Sequence, residues 1–288
     1  MSDQLLKIET LNSKVKLWRI VAFFMIFISL ILGNYVDLSN ISNFLDNQYI
    51  AKINIEGKIE TNDEMDILLK RIAESKHITG LILNINSPGG SVTGSEILYQ
   101  SIRNVARNKP VVALLNDFAA SGGYMAAVAA DYIISRHTTV TGSIGVLMQY
   151  IGISPLAEKM GISLKSIKSS DLKAETSPFE ELTEKKEESI RRIIKEYYEY
   201  FVDIVADRRK MEKSQVLKIA NGSVYTGSEA LSIGLVDQIG GEDEAMGWFR
   251  TQNINTQKVK TLSKKSYKSI LGNVSSIISQ VIHYYINK

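Results

Sequence analysis

Residues 81–135 read LILNINSPGGSVTGSEILYQSIRNVARNKPVVALLNDFAASGGYMAAVAADYIIS, and they alternate between two periodicities. Leu81–Asn86 is an apolar run too short for a helix, and it stops at the breaker cluster Ser87-Pro88-Gly89-Gly90. It therefore predicts a buried strand. Residues 92–107 place Leu98, Ile102 and Val105 on one helical stripe. Pro110–Leu115 predicts a second strand, Ser121–Ala130 an alanine-rich helix and Tyr132–Ser135 a third strand. Repeated strand–helix units of this length call for a largely parallel sheet covered by helices, an α/β fold.

The same alternation extends outward in both directions. Tyr49–Glu56 predicts a strand ended by Gly57, and residues 62–75 a helix with Met65, Leu68, Leu69 and Ile72 on one face. On the other side, Ser177-Pro178-Phe179-Glu180 has capping-box spacing with proline at the first helical position. It predicts a helix continuing through Ile190, Ile194, Tyr197, Phe201, Ile204 and Arg208. Glu187/Arg191 and Glu188/Arg192 are i,i+4 pairs on its wet face. Thr226-x-x-Glu229 is a second capping box. After Gly241 the chain turns polar. It closes on a basic amphipathic tail with Leu271, Val274, Ile277, Ile278, Val281 and Tyr285 at helical spacing, suited to a membrane surface, a neighbouring subunit or its own domain.

Composition narrows the classes. The chain has 288 residues, 44% hydrophobic and 23% charged, which excludes disorder and low-complexity architecture. Its net charge of +3 is spread along the sequence, so no nucleic-acid surface is expected. Cysteine is absent, which removes disulfides, thiolate metal sites and cysteine catalysis. Three widely separated histidines show no clustered ligand spacing, and no metal or cofactor is expected.

At the N-terminus, Ile20–Val36 is apolar except for Ser29 and Asn34 and reaches about 26 Å as a helix. Leu17 and Trp18 extend it, and Arg19 snorkels. Lys7, Lys14, Lys16 and Arg19 precede the run, whereas Asp37, Asp46 and only Lys52 follow it. The positive-inside rule then makes residues 1–19 a cytoplasmic basic segment, 20–36 a single-pass anchor and everything beyond it exported. A cleaved signal peptide is the competing reading, but Gly33-Asn34-Tyr35 is no small-x-small cleavage site. Residues 37–48 are a linker, 49–245 the exported domain and 246–288 the tail.

Two stretches carry candidate chemistry. In Asp117-Phe118-Ala119-Ala120-Ser121-Gly122-Gly123-Tyr124 a strand ends in small residues and Ser121 opens a helix, where N–H groups and the dipole favour negative charge. The competing role for Ser121 is a plain N-cap. Ser87-Pro88-Gly89-Gly90 ends another strand and can present N–H groups as an oxyanion hole, or be a plain turn. Neither GxxxxGK[ST] nor GxGxxG is present, so nucleotide binding has no support. A nucleophilic serine needs a base. His77, His137 and His283 sit in no local motif, and only His137 stays open for a Ser-His pair. The remaining base is a lysine whose pKa falls from ~10.4 toward 7–8 by desolvation, and composition does not choose which.

Taken together, INSPGGSV (85–92), NDFAASGGYMAA (116–127), VTGSIGV (140–146) and YTGSEALSIGLVDQIGG (225–241), with the weaker IKSSDLKAETSP (167–178), resemble the signal peptide peptidase A family of membrane-anchored Ser-Lys serine proteases of bacteria. The likeness spans residues 49–245. It implies Ser121 as nucleophile, Lys173 as general base, Gly89 and Gly122 as oxyanion-hole donors and Ser143 as the group orienting the lysine. It further implies a Clp protease/crotonase-like fold and a homo-oligomer on the outer face of the bacterial inner membrane. The base and nucleophile in such an assembly could come from one subunit or from two. The implied substrates are cleaved signal peptides and other apolar peptides. Two positions depart from the family pattern: Ser170 stands where a glycine is usual and Ala174 where an aspartate is usual. They leave Lys168 and Lys165 as alternative bases, and a peptide-binding scaffold or, more remotely, an acyl-CoA enzyme as alternative functions.

Overall fold

The computed structural model describes residues 48–263, together with Trp18. The anchor at 20–36 and the tail beyond 263 lie outside the described residues, as does His283. Among the described residues no helix is long and apolar enough to cross a membrane.

The chain runs β1 (Tyr49–Glu56), α1 (Asp63–Glu74), β2 (Ile78–Ser87), α2 (Val92–Ala106), β3 (Val111–Ala120), α3 (Gly122–Val128), β4 (Tyr132–Ser135) and β5 (Val140–Gly142). It continues through α4 (Ser154–Lys159), α5 (Glu184–Arg209), α6 (Lys213–Ile219), β6 (Val224–Thr226), α7 (Gly227–Ser232), β7 (Gln238–Ile239), α8 (Glu242–Thr251) and β8 (Val259–Thr261). The mixed α/β class expected from the alternation is the one adopted. The strands join one sheet in the order β6-β5-β3-β2-β1-β8, with β4 bridging β3 and β7. Every pairing is parallel except β5 with β6.

The long strand β3 changes partners along its length, and this places the site. Val112–Leu115 pair with β4, whereas Phe118–Ala120 pair with β5. On its other side the register with β2 shifts between Ile85 and Ser87. Where the strands part, side-chain amides serve the sheet: Asn116 Nδ2 donates to Asn84 Oδ1 at 2.9 Å, and Asn86 Oδ1 accepts the Phe118 N–H at 3.1 Å. The forked strand then delivers Ser121 between the ends of β2 and β5.

Helices cover both faces. Leu69, Ile72, Ile102, Val105 and the buried helix α3 share the larger core with Phe201, Val202 and Val205 of α5. The other face packs Ile50, Ile82, Val112, Leu114 and Ile134 beneath Ala245, Met246 and Phe249 of α8. The body therefore continues past residue 245, where the sequence pattern ended it: α8 caps this second core and β8 pairs with β1. The helix expected to open at Pro178 also begins later, at Glu184 behind Thr183. The Ser177 N–H already donates to the Ala174 carbonyl, and the Glu180 carboxylate is taken by two lysines, so that capping box never closes. The Thr226/Glu229 box does form.

Helix α3 is wholly buried, so its C-terminal carbonyls need partners inside the protein. Two arginines provide them: Arg208 donates to the carbonyls of Val128 (3.1 Å) and Ala130 (2.9 Å), and Arg103 to that of Ala129 (2.8 Å). Their positive charge also suits this end of the helix dipole. Arg208→Ala is expected to cost about 2–4 kcal/mol by orphaning two buried carbonyls, readable as a lower midpoint in urea unfolding.

Candidate active site

Ser121 closes β3 and precedes α3 with φ 52° and ψ −121°, a region costly for any residue with a Cβ. The conformation is held from both sides. Its N–H donates to the Gly142 carbonyl at 2.8 Å, and its carbonyl accepts from the Met125 N–H at 2.9 Å. The side chain makes no capping hydrogen bond. The hydroxyl is thus not committed to the helix, and the plain N-cap role is not the one the geometry adopts. Ser143 directly follows Gly142 and is also left-handed, at φ 49°, with its N–H bonded to the Ser223 carbonyl at 2.8 Å. Since Ala120 pairs with Gly142, the two strained serines follow paired positions on adjacent strands.

The glycines around them allow backbones to approach. A Cβ on Gly89 (φ 108°) would lie 2.9 Å from both the Gly122 nitrogen and Ser121 Cβ, so the β2 loop presses against the start of α3. A Cβ on Gly122 would lie 2.1 Å from the buried Ser95 hydroxyl and 3.3 Å from the Gly90 nitrogen. The Gly89 N–H, expected to face the site, donates instead to Ser87 Oγ at 3.1 Å. Its neighbour Gly90 bridges to Ile59 through the flanking groups, Ile59 N–H to the Gly89 carbonyl and Ser91 N–H to the Ile59 carbonyl, both 2.9 Å. That pairing turns the Gly90 N–H away from Ile59 and toward α3. Of the glycine pair that the sequence offered as an oxyanion hole, Gly90 rather than Gly89 thus keeps its N–H uncommitted, and the Ser87 bond to Gly89 and the pairing with Ile59 distinguish the two.

The model for peptidase family S49 matches residues 103–255, which is more than half of the chain and holds Ser121, Ser143 and the 167–178 block. This chain is a member of peptidase family S49. Protease 4 of Haemophilus influenzae is 36% identical over 207 residues, 68% of this chain and 34% of that protein. The chloroplastic serine protease SPPA of Arabidopsis thaliana is 36% identical over 204 residues, 70% of this chain and 30% of that one. A provisionally named signal peptide peptidase SppA of Enterococcus faecium is 31% identical over 228 residues, 74% of this chain and 66% of that one. The chain spans about a third of the length of the first two. The family resemblance read from the sequence is borne out.

Within this S49 chain the candidate bases separate. His137 Nδ1 lies 2.9 Å from Ser228 Oγ at the start of α7, so its ring is engaged there. His77 precedes β2, at the opposite strand ends from Ser121. Lys173 sits in a run of turns at 171–176, exposed, with its amine bonded to no described residue. The single chain does not join it to Ser121 by any hydrogen bond. Ala174, beside it, is left-handed at φ 62° where the family pattern has aspartate, a residue that tolerates this region better. Lys168 is committed: its amine and that of Lys186 (2.8 Å) share Glu180 Oε2. Between residues 147 and 172 the chain forms an arm whose large apolar side chains face outward, among them Leu147 (77% exposed), Ile151 (71%) and Ile167 (95%).

Hydrogen bonds from Lys168, Lys186 and Ser166 hold the Glu180 carboxyl down at about 2. A depressed carboxyl stabilises the fold above its unfolded value and loses that contribution as pH falls through the folded one. The stability gap between wild type and Glu180→Gln is therefore expected to stay constant from pH 8 to about pH 5 and to close toward pH 2. Urea midpoints at several pH values measure it.

Proposed function

We propose that this chain is a membrane-anchored serine endopeptidase acting on apolar peptides, cleaved signal peptides foremost, by a Ser-Lys mechanism. The observation that carries the reading is Ser121: a strained, uncapped hydroxyl at a buried helix start, flanked by the Gly89-Gly90 loop and Ser143. In this reading Lys173 takes the Ser121 proton while Oγ attacks the scissile carbonyl. The N–H groups of Gly90 and Gly122 receive the tetrahedral oxyanion. Collapse breaks the C–N bond, and the lysine returns the proton to the leaving amine. Water then enters by the reverse sequence and frees the acid and Ser121. Ser143 orients the amine. The anchor at 20–36 keeps the domain on the outer face of the membrane, beside substrates that remain in the bilayer.

The amine of Lys173 has no partner among the described residues, and the arm leading to it, residues 147–172, turns large apolar side chains to solvent, as an interface would need. Both observations support a homo-oligomer in which one copy's Lys173 serves its neighbour's Ser121. Mixing inactive Ser121→Ala and Lys173→Ala chains under subunit exchange should then restore a quarter to a half of wild-type activity, because some interfaces carry both native groups. Mixtures that stay inactive would place the pair within one subunit.

The whole reading is tested with full-length protein in detergent, a synthetic signal peptide and a polar peptide of equal length. Cleavage confined to the apolar peptide, together with labelling of Ser121 by a fluorophosphonate, is the expected result. Binding without cleavage or labelling would favour the peptide-binding scaffold, the reading suggested by Ser170 and Ala174.

A further inference from the structure

Lys186 stands in the first turn of α5, where the helix dipole disfavours a cation, and it is only 7% exposed. Nothing in α5 itself calls for a lysine there. Its amine donates to Glu180 Oε2 at 2.8 Å and to the Glu181 carbonyl at 3.1 Å. The same carboxylate oxygen accepts Lys168. Covering two ammonium groups and one carboxylate is costly unless the geometry returns something.

What it returns lies in the chain path. Lys168 and Glu180 are the two ends of a loop whose middle carries Lys173. Their ion pair closes the neck of that loop, and Lys186 ties the neck to the long helix α5. Two further bonds join it to the start of the arm: the Tyr150 hydroxyl donates to the Glu180 carbonyl, and the Ile153 N–H to that of Pro178 (2.8 Å). Inside the loop the backbone bonds are short turns, Lys173 N–H to Ser170, Ser177 N–H to Ala174 and Glu180 N–H to Ser177, and one solvent-exposed ion pair, Lys185 with Asp171 at 3.2 Å, reaches α5. The part-buried charged ties are those at the neck.

We propose that Glu180 is a positioning residue of the reaction: by binding Lys168 and Lys186 together it holds the loop so that Lys173 is presented to Ser121. The inference rests on the Ser121/Lys173 reading above. It also accounts for the choice of base, since Glu180 commits Lys168 and leaves the Lys173 amine uncommitted.

The test compares full-length wild type, Lys173→Ala, Glu180→Gln, Glu180→Asp and Lys168→Met for kcat, KM and melting temperature. Glu180→Gln keeps the shape of the side chain and removes its charge. It is expected to lower kcat about 10–100-fold with KM within about twofold, as for a displaced catalytic group. Glu180→Asp should recover most of that loss, and Lys168→Met should fall between wild type and Glu180→Gln. Should Glu180→Gln fail to fold, the kcat loss of Lys168→Met is read in its place. A Glu180→Gln enzyme with wild-type kcat, or one altered only in melting temperature, overturns the proposal while an inactive Lys173→Ala preserves the base. An active Lys173→Ala removes both. Lys168→Met as inactive as Lys173→Ala would make Lys168 the base and overturn the positioning role.

Discussion

Ser121→Ala is expected to lower kcat by about 10⁴-fold or more while leaving KM and the fold nearly unchanged. Under the proposed mechanism the hydroxyl is the bond-forming group, and no other described side chain lies at the same turn to replace it. The fold does not depend on that oxygen, because it makes no capping bond and the backbone at Ser121 is held through Gly142 and Met125. Alanine retains the Cβ and so inherits the strain at φ 52°. Its melting temperature should match wild type within a degree or two. Ser121→Gly makes the complementary case: equally inactive, yet stabilised by about 1 kcal/mol because glycine occupies this region freely. An inactive protein more stable than the active one would mark the strain as belonging to the site. Comparable activity in Ser121→Ala and wild type would remove Ser121 as nucleophile.

The parts of this site that the sequence made legible are the local ones. Ser121 could be found because a strand end, small residues and a helix start follow one another within eight residues. Gly122 and Ser143 were found through family motifs, and the structure sets both beside Ser121. Gly89 and Gly90 could not be told apart, because the bridge that turns one N–H toward α3 comes from Ile59, about thirty residues upstream. The same holds for the fold. Tyr49–Glu56 was readable as a strand because it is long and alternates, whereas β5, β6 and β8 have three residues each and no periodicity to read. The polar look of residues 242–251 hid Ala245, Met246 and Phe249, which bury as one face of α8. At Pro178 the local capping signal was real, but Lys168 and Lys186 compete for the Glu180 side chain it requires.

Gly90→Ala carries the other large expected effect, and here stability and catalysis fall together. A Cβ at this position would sit 1.8 Å from the Ile59 carbonyl oxygen and 2.5 Å from its carbon. Those are backbone atoms, so no side-chain rotation relieves the clash. The chain must separate Gly90 from Ile59, breaking the two 2.9 Å bonds that bridge the β2 loop to the segment after β1. Losing both, with Ile59 drawn out of the core, is expected to cost about 3–5 kcal/mol, readable in urea unfolding. The Gly90 N–H would swing with the loop. Removing one oxyanion donor typically costs 10²–10³ in kcat, so the folded fraction should lose about that much at unchanged KM. Gly222→Ala is the control: its φ is +84° but nothing lies within 4 Å of the added carbon. It should pay only the left-handed penalty of about 1–2 kcal/mol and keep kcat. A Gly90→Ala enzyme with full kcat in its folded fraction would move the oxyanion donor elsewhere. The Gly89 N–H would then be next to test, through Ser87→Ala, which frees it from the hydroxyl that now holds it.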